Sequence, residues 1–445
     1  MGQGGFITLV NGTNYNWTRK NQKSYQMNSW NFPNSIPAGQ TAHVYLEWNQ
    51  GVFSKTSDDS GDVTYGIDGA SHSFDVHARA THGFNLSVVL SNLATSGSPQ
   101  GSTIDLGWKH DGSVPFVLAG TVGNFSSNIM PTGWMEANMG TLGNRTLRQL
   151  CIPGSHDAGM SVCEHATAFA SRCNVQTQTR SILEQLDAGS RYFDIRPIIG
   201  GGDFFTGHYS WVGAASSWQG ARGQSIDSII ADVNRYTTWN KDLVILYLSH
   251  DLNTDAGAQS YRPFTQEEWN RLLEKLSGLQ NLHTVADIRS LDLTTLPLKQ
   301  FIDGKPAVLV IVDPSGGGIS LGNHAGKGFF PASCFPVYDR YSETNTLNTM
   351  VNDQLTKMKQ QRPNPSQSYF LLSWTLTQSD AQATLCSTGT VSSILDLAAE
   401  ADPEIYQMLL PACSAQTYPN ILYIDKYDTG AMAALAMAVN TKGQP

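Results

Sequence analysis

Residues 150 to 157 read Leu150-Cys151-Ile152-Pro153-Gly154-Ser155-His156-Asp157, and residues 185 to 196 read Gln185-Leu186-Asp187-Ala188-Gly189-Ser190-Arg191-Tyr192-Phe193-Asp194-Ile195-Arg196. Each holds a short apolar run that ends on charged or polar residues. Such a run has the length of a buried strand, and charge at its C-terminal end is what a parallel α/β sheet presents at its working edge. Working outward, apolar runs recur at 243–249, 307–313, 335–339, 369–376 and 420–425. Amphipathic stretches lie between them. Ile226, Ile229, Ile230 and Val233 follow i, i+3, i+4, i+7 spacing, as an amphipathic helix does. Leu347, Met350, Val351, Leu355 and Met358 behave likewise, as do Ile394, Leu395, Leu397 and Ala398. Strand and helix in alternation mean a parallel sheet with crossover helices. Seven runs plus a short one at 204–206 predict a (β/α)8 TIM barrel over 148–445, allowing for distortion. An open doubly wound sheet is the alternative, but no glycine-rich phosphate loop follows the first run.

Residues 1–130 have another rhythm. Short β-branched or alternating runs at 6–10, 43–48, 84–90 and 116–118 are separated by Gly, Asn, Ser, Asp and Pro clusters. That pattern predicts a β-sandwich domain, with 131–147 as linker. The tryptophans at 17, 30, 48 and 108 are read as core, with an exposed lipid- or glycan-binding rim as the alternative.

Composition narrows the function. The chain of 445 residues is 40% apolar and 15% charged, with a formal net charge of −9. No cluster of Lys and Arg is present, which argues against nucleic acid and against electrostatic docking on an anionic membrane. Peripheral membrane contact would rest on aromatic or apolar groups. The most apolar stretch, 431–439, is too short to span a bilayer. Met1 to Phe6 shows no basic region followed by an apolar core, so no signal peptide is expected. A cytoplasmic or peripheral-membrane location follows, or secretion if a leader was removed. Gly2 does not predict myristoylation, because Phe6 stands where Ser or Thr is wanted. The six cysteines contain no C-x-x-C pair, so zinc is not expected. Either all six are reduced, or Cys163 pairs locally with Cys173. The five N-x-[ST] sequons, at Asn11, Asn16, Asn85, Asn124 and Asn144, match chance in a chain this rich in Asn, Ser and Thr.

The chemistry-bearing residues fall at the ends of the predicted barrel strands. The first delivers His156 and Asp157, the second Asp194 and Arg196, the short one His208, the next Ser249, His250 and Asp251, and the last Asp425. Each has a bland reading: a His-Asp pair after a strand is common, and Arg196 would ordinarily pair with Asp194. Their conjunction on several strands is harder to dismiss. Two histidines with a cation between them suit phosphodiester cleavage. One neutral imidazole takes a proton from the attacking hydroxyl, one protonated imidazole gives a proton to the leaving oxygen, and a guanidinium holds the phosphoryl oxygens.

At these residues the chain resembles the bacterial phosphatidylinositol-specific phospholipase C family. The first two blocks and Gly207-His208 carry the match, with weaker support from Val337-Tyr338-Asp339-Arg340-Tyr341 and Ile424-Asp425-Lys426-Tyr427. The resemblance implies His156 as general base, Asp425 as its orienting carboxylate and Arg196 as the phosphate clamp. It implies His208 as general acid with Asp157 as its partner. Asp339, Tyr341 and Asp194 would contact substrate, a phospholipid or inositol phosphodiester, giving a cyclic inositol phosphate and diacylglycerol. Calcium-dependent relatives place Asn after the first histidine and an acid where Arg196 stands, so neither metal nor cofactor is expected. The basic residues that the family carries at the ends of the fourth and fifth strands are absent; Ser249, His250, Asp251 and Asp313 stand there. A phosphodiesterase acting on another headgroup is therefore the alternative, and a catalytically silent lipid- or glycan-binding protein a further one.

Overall fold

The computed structural model describes residues 2–386 and 389–443, so the outermost residues of the two expected domains lie outside it. The chain divides into two compact units: 1–131 with 402–418 and 429–445, and 132–401 with 419–428.

The first unit holds two sheets. Five strands run in the order Asn124–Ser127, Ser113–Thr121, Gln3–Thr13, Thr41–Trp48, Ser29–Trp30. Six antiparallel strands run in the order Ser35–Ile36, Trp17–Tyr25, Ser60–Ile67, Ser73–Arg79, Asn85–Val89, Thr103–Gly107. Alternation along Thr41–Trp48 and Ser73–Arg79 sends Val44, Leu46, Trp48, Phe74, Val76 and Ala78 into one core. Trp17, Trp30 and Trp48 are buried there, and Trp108 packs edge-on against Trp48 at 5.7 Å. The core reading of these four rings therefore describes them, and the rim reading does not. Helix Ala431–Lys442 packs on strands Gln3–Thr13 and Ser113–Thr121. It is apolar and buried nearly all round, which explains the apolar stretch near the end of the sequence. Gly12 permits this approach, since a Cβ there would lie 2.3 Å from the Cβ of Ala438. Residues 429–445 thus group with the first unit, whereas the expected division gave all of 148–445 to the second.

The second unit is built on eight parallel strands. Their order is Phe329–Pro331, Ala307–Val312, Leu243–Leu248, Tyr192–Ile195, Ile152–Ser155, Ile421–Ile424, Tyr369–Ser373, Val337–Tyr338. The sheet curls into a half-barrel consistent with a TIM-like fold. Among the described residues no ladder joins Phe329–Pro331 to Val337–Tyr338, so the cylinder is not closed by hydrogen bonds. Leu243–Leu248 and Ala307–Val312 read as continuous apolar runs because helices cover one face and the barrel interior the other. Helix Ile226–Trp239 begins where the Ser225 hydroxyl accepts from Ser228 N at 3.1 Å, and it buries Ile226, Ile229 and Val233. Helix Leu347–Gln361 buries Met350, Val351 and Met358.

Three expectations need correction. Residues 204–206 are not the eighth barrel strand. They lie in Asp203–Val212, which pairs antiparallel with Ser217–Ser225 and with Pro197–Gly200 in a separate four-stranded sheet. Only two residues, Gly201 and Gly202, separate Pro197–Gly200 from Asp203–Val212, both at positive φ, so the chain reverses where a parallel crossover would need a dozen residues or more. The eighth strand is Phe329–Pro331, too short to stand out in the sequence. Residues 131–147 are not a bare linker: they carry helices Trp134–Ala137 and Met139–Leu142, and Trp134 is buried with its indole N–H donating to Gly189 O at 3.0 Å. Finally, Cys173 pairs with Cys386, Cα to Cα 5.6 Å, and not with Cys163. Cys163 turns into a small cluster with Met160, Val175 and Ala221. Asn174 Nδ2 donates to Ala383 O at 3.0 Å and holds the two cystine segments together.

Candidate active site

The second strand of the curled sheet assigns its side chains by parity. Phe193 and Ile195 point into the sheet–helix layer. Tyr192, Asp194 and, just past the strand, Arg196 share the opposite, interior face. The rings of Tyr192, Tyr247 and Tyr423 gather there: Tyr192 and Tyr247 lie 5.8 Å apart, Tyr192 and Tyr423 6.2 Å. They form an aromatic floor beneath the polar groups.

Asp194 is the hub. Its Oδ2 accepts from Tyr423 OH at 2.6 Å, from Asp157 N at 3.0 Å and from Arg196 Nε at 3.0 Å. Its Oδ1 accepts from Ser249 Oγ at 3.3 Å. Burial opposes its charge, but the Arg196 guanidinium first, then His156, His250 and the Tyr423 hydroxyl, hold the carboxyl well below the usual range. Tyr423 is pushed well above the ordinary phenol range by burial and by Asp194, so it stays a donor.

Arg196 continues from that hub to His156 and to Asp157, the carboxylate that faces His208. Its Nη2 donates to His156 Nε2 at 2.8 Å, and its Nη1 lies 3.6 Å from Asp157 Oδ2. His156 Nδ1 donates to Asp425 Oδ1 at 2.7 Å. The contact at Nε2 requires that nitrogen to be unprotonated, so this geometry is that of a neutral imidazole carrying its proton on Nδ1. Burial works against a charged ring, but Asp425, by charge and hydrogen bond, outweighs it and raises the His156 pKa above the ordinary value, with Arg196 opposing. The His156 ring is thus oriented by one carboxylate and restrained by one guanidinium. On the other side, Asp157 Oδ2 stands 3.0 Å from His208 Nδ1. The two atoms are close, but no hydrogen bond is formed between them.

The loops around these groups are locked by short polar contacts. Asp157, at φ +39°, turns the chain sharply after strand Ile152–Ser155. Thr177 Oγ1 donates to Asp157 O at 2.9 Å. Gln178 Nε2 donates to His156 O at 2.8 Å while its Oε1 accepts from Tyr427 N at 2.8 Å, tying the His156 and Asp425 segments together. A Cβ on Gly159 would meet Thr206 Oγ1 at 2.2 Å. Glycine at that position lets the loop after Asp157 lie against the His208 strand.

The expected residues His156, Asp157, Asp194, Arg196, His208 and Asp425 thus converge. Asp339 follows strand Val337–Tyr338 at the edge of the group; burial, then the Asp194 charge, push its carboxyl above the usual range. Tyr341 is half exposed, at 52%. Asp194 is occupied by internal partners, which fits a positioning part better than the substrate contact expected of it. Tyr423 and Gln178 were not singled out as site residues, and Ser249 was named at a strand end without a role. For Tyr423 a signal existed: it precedes by two Asp425, which stands just past strand Ile421–Ile424, and extended backbone puts the two on one face. Gln178 lies in a long loop, where no periodicity speaks. Among the described residues no group of three His, Cys, Asp or Glu side chains is arranged to hold a metal ion, and no helix is long and apolar enough to cross a membrane.

No family model matches the chain, and no curated protein matches it. Among solved structures it is similar to a variant of the phosphatidylinositol-specific phospholipase C from Staphylococcus aureus, with a TM-score of 0.47 at 17% identity over 71% of this chain and 99% of that one. A second Staphylococcus aureus structure, concerned with modulation of that enzyme's membrane binding, aligns with a TM-score of 0.48 at 15% identity, over 71% and 98%. The Listeria monocytogenes phosphatidylinositol-specific phospholipase C aligns with a TM-score of 0.42 at 17% identity, over 67% and 95%.

Proposed function

We propose that the chain is a phosphodiesterase of the phosphatidylinositol-specific phospholipase C type, acting on a phosphodiester with a neighbouring hydroxyl. The ring hydroxyl beside the phosphate gives its proton to His156 Nε2. Its oxygen forms a bond to phosphorus, the bond from phosphorus to the glycerol oxygen breaks, and that oxygen takes a proton from His208. The products are a cyclic inositol phosphate and diacylglycerol. The nucleophile is already tethered next to phosphorus, which removes the entropy cost of a bimolecular encounter. Arg196 stabilises the charge that builds on the phosphoryl oxygens. A phosphoryl oxygen competing for the Arg196 Nη2–H would also free the lone pair of His156. Asp425 orients the base, Asp157 supports the acid, and Asp339 and Tyr341 are assigned to the headgroup.

One observation carries this reading: a single guanidinium lies 2.8 Å from one imidazole and 3.6 Å from the carboxylate that faces the other. That is the spacing one phosphoryl group would bridge. A different headgroup is the second reading, favoured by Ser249, His250 and Asp313 at the strand ends where basic residues were expected. The substrate would be met at a lipid surface, as a peripheral contact.

The test is turnover of phosphatidylinositol in detergent micelles with chelator present, against a panel of other phospholipids. Cleavage of phosphatidylinositol with release of a cyclic phosphate is expected. His156→Ala and His208→Ala should each lose about 10²-fold or more of the rate, as for a general base or acid. Undiminished turnover in either variant refutes its role.

A further inference from the structure

Three non-glycine residues that follow barrel strands have left-handed backbones: Asp157 at φ +39°, Lys426 at +51° and His250 at +56°. Such strain persists only where the surroundings enforce it, and it concentrates at functional sites. The first two flank the catalytic pair His156 and Asp425. His250 has no part in the mechanism above, yet it ends strand Leu243–Leu248, next in the sheet to the Arg196 strand. Its surroundings pin it: Ser249 N donates to Ile195 O at 3.0 Å, and Asp251 accepts from Phe264 N and Ser315 N, both at 2.6 Å.

The direction of one hydrogen-bond chain determines what the ring offers. The Asp194 carboxylate is ionised and can only accept, so Ser249 Oγ donates its single proton to Asp194 Oδ1. Ser249 Oγ, 2.8 Å from His250 Nδ1, must then accept there. In the neutral ring the proton therefore sits on Nδ1, and Nε2 is a bare acceptor. Arg196, first, and desolvation hold the ring's pKa below the ordinary value, with Asp194 and Asp157 opposing and His156 adding to the depression. The neutral form is favoured. A lone pair repels a phosphoryl oxygen but accepts from a hydroxyl.

We propose that His250 is a specificity residue whose Nε2 accepts a hydrogen bond from a hydroxyl of a polyol headgroup bound at this site. The assignment rests on the phosphodiesterase reading for its place in catalysis, but the acceptor itself follows from the Asp194–Ser249–His250 chain. It offers one physical account of how headgroup binding could be served without the basic residue expected at that strand end.

The test uses the full chain in two arms. In the first, His250→Asn and His250→Gly, both tolerant of a left-handed backbone, are assayed on phosphatidylinositol micelles. KM should rise on the order of tenfold, the effect of one lost hydrogen bond to substrate, with kcat nearly unchanged. In the second, the 15N-histidine-labelled chain is titrated with myo-inositol. The Nε2 resonance of His250, assigned by its loss in His250→Asn, should move upfield on binding, as an accepting nitrogen does. If the parent cleaves phosphatidylinositol but neither KM nor that resonance changes, the His250 assignment is overturned. If the resonance moves but no phospholipid is cleaved, the polyol contact stands and the phosphodiesterase reading falls.

Discussion

Two arginines flank one four-residue strand, and their fates differ. Arg191 precedes Tyr192–Ile195, and Arg196 follows it. Each is paired with an aspartate. Arg191 is fully buried, as is its partner Asp242, 2.6 Å away. Its Nε donates to Asp242, its Nη1 to Leu186 O and Ser190 O, and its Nη2 to Asp242, Tyr236 OH and Thr132 O. The Tyr236 ring lies 4.9 Å from its guanidinium carbon. Nothing is left for a ligand. Arg196 keeps 17% of its side chain exposed, and its Nη1 reaches only a 3.6 Å contact with Asp157. In a barrel, the N-terminal face serves stability and the C-terminal face serves chemistry. The same residue type, five positions apart, is saturated at one end and held in reserve at the other.

That contrast can be broken, most sharply at the saturated end. Asp242→Ala leaves the Arg191 charge buried without its partner and should cost about 3–5 kcal/mol of stability. Urea denaturation measures it, and the protein that remains folded should keep its kcat. A smaller loss would mean that Tyr236 and the backbone carbonyls suffice for Arg191. At the other end, Arg196→Lys keeps the charge but loses the planar fork. Activity on phosphatidylinositol should fall about 10²-fold while the denaturation midpoint stays close to that of the parent. A large loss of stability with intact turnover would reverse the roles assigned to the two ends.

The smallest effect concerns pH. His156 has a folded-state pKa raised above its unfolded value, with burial opposing and the Asp425 charge and hydrogen bond prevailing. Its pairing with Asp425 therefore adds stability that is fully present below the unfolded pKa and is lost as pH rises through the folded one. For activity the sign is opposite, because a general base, the role proposed for His156, must be neutral. The acidic limb of the rate profile should lie above the ordinary histidine range, and Asp425→Asn should move it to lower pH. A pH–rate series on both proteins decides this. An unmoved limb would mean that Asp425 does not control the proton on His156.

Much of the curled sheet was legible because buried parallel strands are unbroken apolar runs between amphipathic helices. Ala307–Val312 and Leu243–Leu248 admit no other reading. Phe329–Pro331 escaped notice because three residues carry no period. Residues 204–206 were misassigned because an apolar run does not reveal whether its partner runs parallel or antiparallel. Strand-end position and residue type brought up His156, Asp157, Asp194, Arg196, His208, Ser249, His250, Asp251 and Asp425 together. Only the family resemblance singled out five of them for catalysis, and His208 was reached through a run that is no barrel strand. Gln178 escaped both, since its value lies in bridging two chain segments far apart in sequence.

Parity along Arg191 to Arg196 is a property of the extended backbone itself, so the residues alone place Asp194 and Arg196 on one face and Arg191 on the other. Which partners meet them there is another matter. Asp242, Tyr423 and Ser249 arrive from separate strand ends, and Cys386 reaches Cys173 across 213 residues. Those meetings depend on sheet order and loop path, which emerge from the packing of the whole unit and are written in no local pattern.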